Sequence, residues 1–165
     1  MTDKPNVLVA YGTKNGSTAS IAKIVGEELR DQGASVDVRD AATVRSLEGY
    51  DAVVIGGALY TGRWHRAARR FVRRQSAALR QRPVWLFSSG PLDDSADRSD
   101  IPPVRQVAAA VAKINARGHA TFGGRLTESA PGFIARAMVR NGHGGDFRNP
   151  ERIKIWAKQI AQELQ

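Results

Sequence analysis

The sequence predicts an α/β fold in which five parallel strands form one doubly wound sheet with helices on both faces. Short apolar runs alternate along the chain with amphipathic stretches of helical period, which is typical of such sheets. The third run, 52–55, is continuously apolar, as expected of a strand that is buried on both faces. The 165 residues, 1–165, are predicted to form a single domain, long enough to bury a core.

Each element has its own signal. The first helix has apolar residues at Ile21, Ile24, Val25 and Leu29, and Gly33 marks its end. The last helix has a proline, Pro150, at its first position. The predicted strands cover 6–10, 35–39, 52–55, 84–87 and 120–125, and the predicted helices cover 17–32, 65–79, 103–117 and 149–164, with a connector at 40–47.

Composition excludes several kinds of site. The chain has no cysteine, which excludes disulfides, thiolate metal sites and cysteine nucleophiles, and no residues have the spacing of metal ligands. The N-terminal residues lack the pattern of a signal peptide, and no apolar run is long enough to span a bilayer. We therefore expect a cytoplasmic protein, with peripheral attachment to the inner face of the membrane as an alternative.

The first strand leads through a hydroxyl-rich loop into the first helix. Loop amides, the helix dipole and hydroxyl groups together favour a phosphate at such a place. The spacing fits neither G-x-x-x-x-G-K-[ST] nor G-x-G-x-x-G, so this is not a mononucleotide P-loop or a dinucleotide fingerprint. An ordinary helix N-cap remains the alternative. The candidate phosphate-binding residues are Thr13, Lys14, Asn15, Gly16, Ser17 and Thr18.

Two further segments follow the third and fourth strands, where a parallel sheet places its ligand loops. Both are rich in glycine or serine, and the first also carries Tyr60 and Trp64. Backbone amides there suit the polar edge of a flat heteroaromatic ring, and Tyr60 suits its face better than Trp64 does. The alternative for both aromatic residues is packing on the core at the helix entry. The candidate ring-binding residues are Ala58, Leu59, Tyr60, Thr61 and Gly62 in one segment, and Ser88, Ser89, Gly90, Pro91 and Leu92 in the other.

These motifs together resemble the flavodoxin-domain family. The resemblance rests on the pattern V-x-Y-[GS]-T-x-[ND]-G-x-T, on VVIGGALYTGRWH, and on GGDFRNPERIKIWA before the last helix. Within the family, residues 56–65 and the basic segment 123–150 are similar to the menaquinone-dependent protoporphyrinogen oxidase branch, whereas 88–92 departs from it. The resemblance implies a flavodoxin-like fold with strand order 2-1-3-4-5 and FMN as the cofactor.

The resemblance also implies a function. Electrons would pass from an anionic substrate through FMN to a quinone, without a catalytic side chain. Gly57 or Gly62 would rotate its peptide toward the flavin. His65 is expected at a helix N-terminus, and His119 and His143 in structural or solvent-facing positions. The alternatives are a diffusible electron carrier, a deazaflavin in place of FMN, and more remotely a nucleic-acid-binding module.

The basic surface indicates what kind of partner to expect. The net charge is +9, and eight arginines and no acidic residue lie between Arg63 and Arg82. We expect an anionic substrate or an acidic redox partner, with a quinone and an anionic membrane surface as further candidates. The alternative is a solvated arginine-rich face. Nucleic acid is disfavoured because the arginines lack interleaved aromatic residues. Phe133, Ile134, Ala137 and Met138 predict a short basic amphipathic helix that covers the flavin, contacts a quinone or contacts a membrane surface. The alternative is a helix that packs on the domain.

Overall fold

The structure is a computed structural model that describes residues 4–12, 16–60, 63–90, 103–123, 125–126, 145–146 and 149–165. Its strands are β1 (Asn6–Gly12), β2 (Ser35–Asp40), β3 (Ala52–Tyr60), β4 (Arg63–Trp64), β5 (Val84–Ser89), β6 (Gly118–Phe122), β7 (Arg125–Leu126) and β8 (Gly145–Asp146). Its α-helices are α1 (Ser17–Asp31), α2 (Arg66–Arg74), α3 (Ser76–Leu79), α4 (Arg105–Ile114) and α5 (Pro150–Glu163), with a 3₁₀ turn at Ala41–Thr43.

The main sheet has the predicted topology. Its parallel strands lie in the order β2-β1-β3-β5-β6, which is 2-1-3-4-5 when the parallel strands alone are counted. The short strand β4 is additional and pairs antiparallel with the end of β3, while β7 and β8 form a separate two-stranded sheet. The predicted α/β fold and strand order are confirmed.

Several predicted boundaries are wrong, and the errors at the ends of β3 and β5 share one cause. Strands β3 and β5 continue to Tyr60 and Ser89, although their last residues were predicted to be loops. The ladder between them pairs Gly56 with Phe87 and Ala58 with Ser89. Glycine and serine are common in loops, but here their small side chains allow paired strands to be covered closely on both faces. Strand β6 lies earlier than predicted, and the predicted helix 65–79 is interrupted at Gln75 between α2 and α3.

The sheet buries an apolar layer on each face because successive strand side chains point to opposite sides. Helices α1 and α5 cover one face, where Val7, Val9, Val54 and Phe87 contribute to the buried cluster. Helices α2, α3 and α4 cover the other face. The first-face helices contact each other as well as the sheet. In both layers, the apolar side chains of the central strands are buried.

Two adjacent glycines in β3 each accept an aromatic ring. A Cβ on Gly56 would overlap the Phe87 ring on the α1 face, and a Cβ on Gly57 would overlap the Trp64 indole on the α2 face. Trp64 is only 1% exposed. The core-packing alternative therefore holds for Trp64, and stacking of its indole on a bound ring is wrong. Gly57 pairs in register with Gly12 and Ser88, and Gly62 lies outside the described residues, so rotation of a glycine peptide toward the flavin stays a prediction.

We predict that Gly56→Ala lowers the free energy of unfolding by about 2 kcal/mol because the new methyl group overpacks against Phe87. In a Phe87→Leu background the same substitution should cost about 1 kcal/mol less, since the ring that it meets is gone. Urea unfolding of the four proteins measures this coupling. Equal costs in both backgrounds would show that the Phe87 ring does not determine the choice of glycine.

Candidate functional site

The carboxyl ends of β1, β3 and β5 lie side by side at one edge of the sheet. Gly12 pairs with Gly57, and Gly57 pairs with Ser88 on its other side. The N-termini of α1 and α2 follow β1 and β4 at this edge. The parallel register therefore brings the three segments that the sequence singled out to one place, where a ligand site of a doubly wound sheet is expected.

Helix α1 begins without a side chain to cap it. Its N-cap is Gly16, whose φ of 86° is left-handed and whose missing Cβ would meet no atom within 4 Å. The first turn has no acidic residue. In α2 and α5, by contrast, the side chains of His65 and Asn149 accept hydrogen bonds from helix amides. The start of α1 thus combines helix amides, a positive dipole end and a cap without a side chain, which suits an anion such as a phosphate.

A buried hydrogen bond joins the first and third segments. The hydroxyl oxygens of Thr18 in α1 and Ser89 in β5 lie 2.6 Å apart, and the two residues are 0% and 2% exposed. Each hydroxyl has one proton, so one donates to the other and the acceptor keeps a proton for another partner. The bond fixes the first turn of α1 against the end of β5. Thr18 therefore positions the helix start, a role that its hydroxyl was not predicted to have.

The second segment folds back as a hairpin and is held by polar contacts. Strand β4 pairs with β3, the His65 amide donates to the Ala58 carbonyl over 2.8 Å, and the Trp64 amide donates to Gln106 Oε1 over 2.9 Å. Leu59 lies against Gly90 of the third segment, where a Cβ would be 3.0 Å from the leucine side chain. The second and third segments are thus in contact with each other.

His65 lies at the start of α2, as predicted. Its Nδ1 accepts a hydrogen bond from the Ala67 amide over 3.1 Å, so a neutral imidazole carries its proton on Nε2. A Cβ on Gly12 would lie 2.8 Å from the Ala68 amide nitrogen and 2.9 Å from His65 Nδ1. The absence of a side chain at Gly12 is what allows α2 to begin directly beside the end of β1.

His119 lies in a structural position, one of the two that the sequence left open, and the structure identifies its partner. It is half-buried in β6, and its Nε2 lies 3.0 Å from the Ser88 hydroxyl. Burial lowers the pKa of His119 from 6.5 to about 4, so the imidazole is neutral at pH 7. It borders a cavity of about 890 Å³ between the edge strand and α5, whose walls include Trp85, Arg117 and Trp156. The Ser88 hydroxyl is therefore hydrogen-bonded to His119 of the neighbouring strand.

The predicted site residues divide into those that the structure places and those that it does not describe. The placed residues lie at the edge just described, in α1 and its cap, in β3, or in and after β5. They are Gly16, Ser17, Thr18, Ala58, Leu59, Ser88, Ser89 and Gly90, with the backbone alone for Tyr60. Outside the described residues lie Thr13, Lys14, Asn15, Thr61, Gly62, Pro91 and Leu92, as do His143 and the amphipathic segment around Phe133.

The described residues offer neither a metal cluster nor a membrane-spanning helix. No group of three or more histidine, aspartate or glutamate side chains in them is arranged to hold a metal ion. None of the helices in the same ranges combines the length and the apolar character needed to cross a membrane.

Comparison with known proteins gives a consistent family. A model of the flavodoxin domain matches residues 8–143. Protoporphyrinogen IX dehydrogenase [quinone] of Escherichia coli K12 is 31% identical over 83 residues, which are 49% of this chain and 46% of that protein. A flavodoxin of Nitratidesulfovibrio vulgaris is 43% identical over 54 residues, 31% of this chain and 36% of that protein. The alignments thus span less than half the length of these relatives.

Solved structures show the same fold at low sequence identity. An archaeal flavodoxin has a TM-score of 0.67 at 14% identity, covering 96% of this chain and 98% of that one. Flavodoxin 2 of Bacillus cereus has a TM-score of 0.66 at 18% identity, covering 96% and 99%. Rubredoxin oxygen:oxidoreductase of Desulfovibrio gigas has a TM-score of 0.65 at 15% identity, covering 98% of this chain and 37% of that one.

We predict that Thr18→Val and Ser89→Ala each lower the free energy of unfolding by about 1–3 kcal/mol. Each substitution leaves the remaining buried hydroxyl without its hydrogen-bond partner. The double variant should cost about 1 kcal/mol less than the sum of the two. Urea unfolding measures all three. Ser20→Ala is the control, since its hydroxyl makes only a 3.3 Å contact with the Gly16 carbonyl. Strict additivity would contradict the proposed hydroxyl bridge.

The neutral state of His119 predicts a pH dependence. Its folded pKa lies below the unfolded value of 6.5, so unfolding takes up a proton between pH 6.5 and about 4, and stability falls as the pH falls through that window. Between pH 7 and pH 5 the wild type should lose about 1–2 kcal/mol more stability than His119→Gln, which keeps a hydrogen-bonding group without the titration. Urea unfolding at both pH values measures the difference, and equal losses would contradict a buried neutral imidazole.

Proposed function

Because this chain belongs to the flavodoxin-domain family, we propose that it binds FMN at the carboxyl edge of its sheet and transfers electrons through it. The observation that carries the proposal is the start of α1, where Gly16 caps the helix without a side chain, the first turn has no acidic residue, and the ends of three strands lie alongside. A phosphate there would accept hydrogen bonds from backbone amides. No cationic side chain is required.

The residues present fit the two parts of FMN. The amides that follow Gly16 would bind the phosphate, and the segments at Ala58–Leu59 and Ser88–Gly90 would lie beside the ring. When bound, FMN supplies the redox chemistry, accepting and donating one or two electrons. The protein orients the ring, and the Thr18–Ser89 hydrogen bond keeps the phosphate and ring segments at a fixed separation. The buried Trp64 excludes water beneath the second segment.

The finer proposal concerns the electron donor and acceptor. We propose a flavin-dependent oxidoreductase that takes electrons from an anionic substrate and passes them to a quinone. Support comes from the similarity to the Escherichia coli enzyme, whose printed name includes both a protoporphyrinogen and a quinone. The net charge of +9 would attract an anionic substrate.

A second candidate is a diffusible electron carrier that exchanges electrons with an acidic protein. It is favoured by the cations on α2, which line a groove next to the proposed flavin edge. A deazaflavin in place of FMN fits the same phosphate-binding end of α1. A role in nucleic-acid binding has less support, because Trp64 and Phe71, the aromatic residues nearest these cations, are buried and offer no stacking surface.

The absorption spectrum of the purified protein tests the proposal first, since flavin and deazaflavin absorb at different wavelengths. Calorimetric titration with each then gives its affinity. Anaerobic turnover with protoporphyrinogen and a menaquinone analogue separates the two candidates. Turnover supports the oxidoreductase, and rapid flavin reduction by an acidic redox protein without such turnover supports the carrier. A protein that binds neither FMN nor a deazaflavin would overturn both.

We predict that Gly16→Asp weakens FMN binding at least about tenfold, equivalent to about 1.4 kcal/mol, because the new carboxylate would cap α1 and repel the phosphate. Gly49→Asp is the matched control. Gly49 has a similar φ of 88°, its Cβ would also meet nothing within 4 Å, and it precedes β3 at the opposite edge of the sheet. Calorimetry measures both variants, with circular dichroism to confirm folding. Equal weakening in the two would contradict phosphate binding at α1.

A further inference from the structure

A basic groove runs between α2 and α4 on the face of the sheet opposite α1. Its volume is about 350 Å³, and none of the described residues that line it carries a carboxylate. Its cations are Arg66, Arg69, Arg70, Arg73 and Lys113, and its apolar lining includes Ala109 and Ala110. We propose that this groove, named here the α2–α4 groove, docks an acidic segment of a partner protein.

The arginines of this region do not all have the same role. Arg74 donates to the Val44 carbonyl over 2.8 Å, and Arg82 donates to the Leu47 and Tyr50 carbonyls over 2.6 and 2.8 Å. These two hold the chain that precedes β3, and they are structural. Arg69 is also engaged, since its Nε donates to the Trp64 carbonyl over 3.0 Å. The count of eight arginines therefore overstates the charge that is available to a partner.

Arg66, Arg70 and Arg73 are the available cations. They follow one another at i, i+4 and i+7 on one side of α2, and all three side chains are exposed. Within the described ranges, the ion pairs involve other residues, namely Lys154 with Glu151 and Lys158 with Glu28. Holding like charges close together is unfavourable, and an external anion relieves the repulsion.

The arrangement of the charges favours an extended acidic segment over a small anion. Arg73 lies seven positions after Arg66, which is about 10 Å along a helix. Lys113 extends the charge to the other wall of the groove. Charges spread along a line contact successive carboxylates of one chain, whereas a small anion would meet only one or two of them. The alanines of α4 leave room for a backbone to approach.

Other macromolecules fit the groove less well. A membrane surface would require exposed apolar residues beside the cations, but among the described residues the exposed large apolar side chain is Ile155, on α5 across the sheet. A single nucleic-acid strand would require exposed aromatic residues, and Trp64 and Phe71 are buried. A duplex is too wide to enter a groove between two neighbouring helices.

The position of the groove connects it to the redox site. Trp64 lines one end of the groove and also packs against Gly57 in β3, between Gly12 and Ser88 of the flanking strands. A docked acidic segment would therefore hold its protein beside the edge where FMN is proposed to bind. That the partner exchanges electrons rests on the proposed function, whereas capture of an acidic segment does not.

The test uses the full chain and a fluorescent octaglutamate peptide, with octaglutamine as the uncharged control. In fluorescence anisotropy, octaglutamate should bind, and its affinity should fall at least about tenfold between about 50 and 200 mM salt. Arg70→Gln/Arg73→Gln should weaken binding at least about tenfold. Lys23→Gln/Lys154→Gln removes the same charge from α1 and α5 on the opposite face and should leave the affinity within about twofold.

Four results would overturn the proposal. They are no binding of octaglutamate, equal loss in both double variants, displacement of the peptide by citrate at equal carboxylate concentration, and tighter capture of anionic vesicles or of a DNA oligonucleotide than of the peptide through Arg70 and Arg73. FMN titration of Arg70→Gln/Arg73→Gln separates this proposal from the function proposed above. If the double variant keeps its affinity for FMN but no longer binds the peptide, the result supports the groove. If the wild-type protein itself does not bind FMN, the result contradicts the proposed function and not the groove.

Discussion

The structure depends on how closely β3 can be covered from both sides. Gly56 accepts the Phe87 ring on one face, and Gly57 accepts the Trp64 indole on the other. With these rings in place, β1, β3 and β5 stay paired up to their carboxyl ends, where Gly12, Gly57 and Ser88 lie in one row. A larger residue at either glycine would displace an aromatic ring of the core, and with it the helix that the ring supports. The edge that carries the candidate site is therefore built by core packing.

That edge presents backbone groups more than side chains. Gly16 contributes no side-chain acceptor to the amides of the first turn of α1, and the hydroxyls of Thr18 and Ser89 are used to join α1 to β5. His65 caps α2, and His119 is held by Ser88. These two histidines, in the described part of the edge, thus have structural roles. This division suits a protein whose cofactor carries the chemistry and whose own task is to hold that cofactor in place.

The sequence was sufficient for the fold and for the strand ends that meet at the candidate edge, because alternating apolar runs and helical periods are local patterns. It was not sufficient where one residue type serves two purposes. Glycine at 56 and 57 and serine at 88 and 89 predicted loops, yet they lie in paired strands because neighbouring rings and hydroxyls require small residues there. The arginines of α2 raised a similar ambiguity. Only the tertiary contacts separate Arg74 and Arg82, which bind carbonyls, from Arg70 and Arg73 in the groove.

The central claim is that backbone amides at the start of α1 bind the phosphate of a flavin nucleotide. The most direct measurement is calorimetric titration of the wild-type protein with FMN and with riboflavin, which has the same ring without the phosphate. The account predicts that FMN binds at least about 100-fold more tightly, equivalent to about 2.7 kcal/mol, since charge-assisted hydrogen bonds contribute about 1.5–3 kcal/mol each. Equal affinities for the two ligands would contradict it.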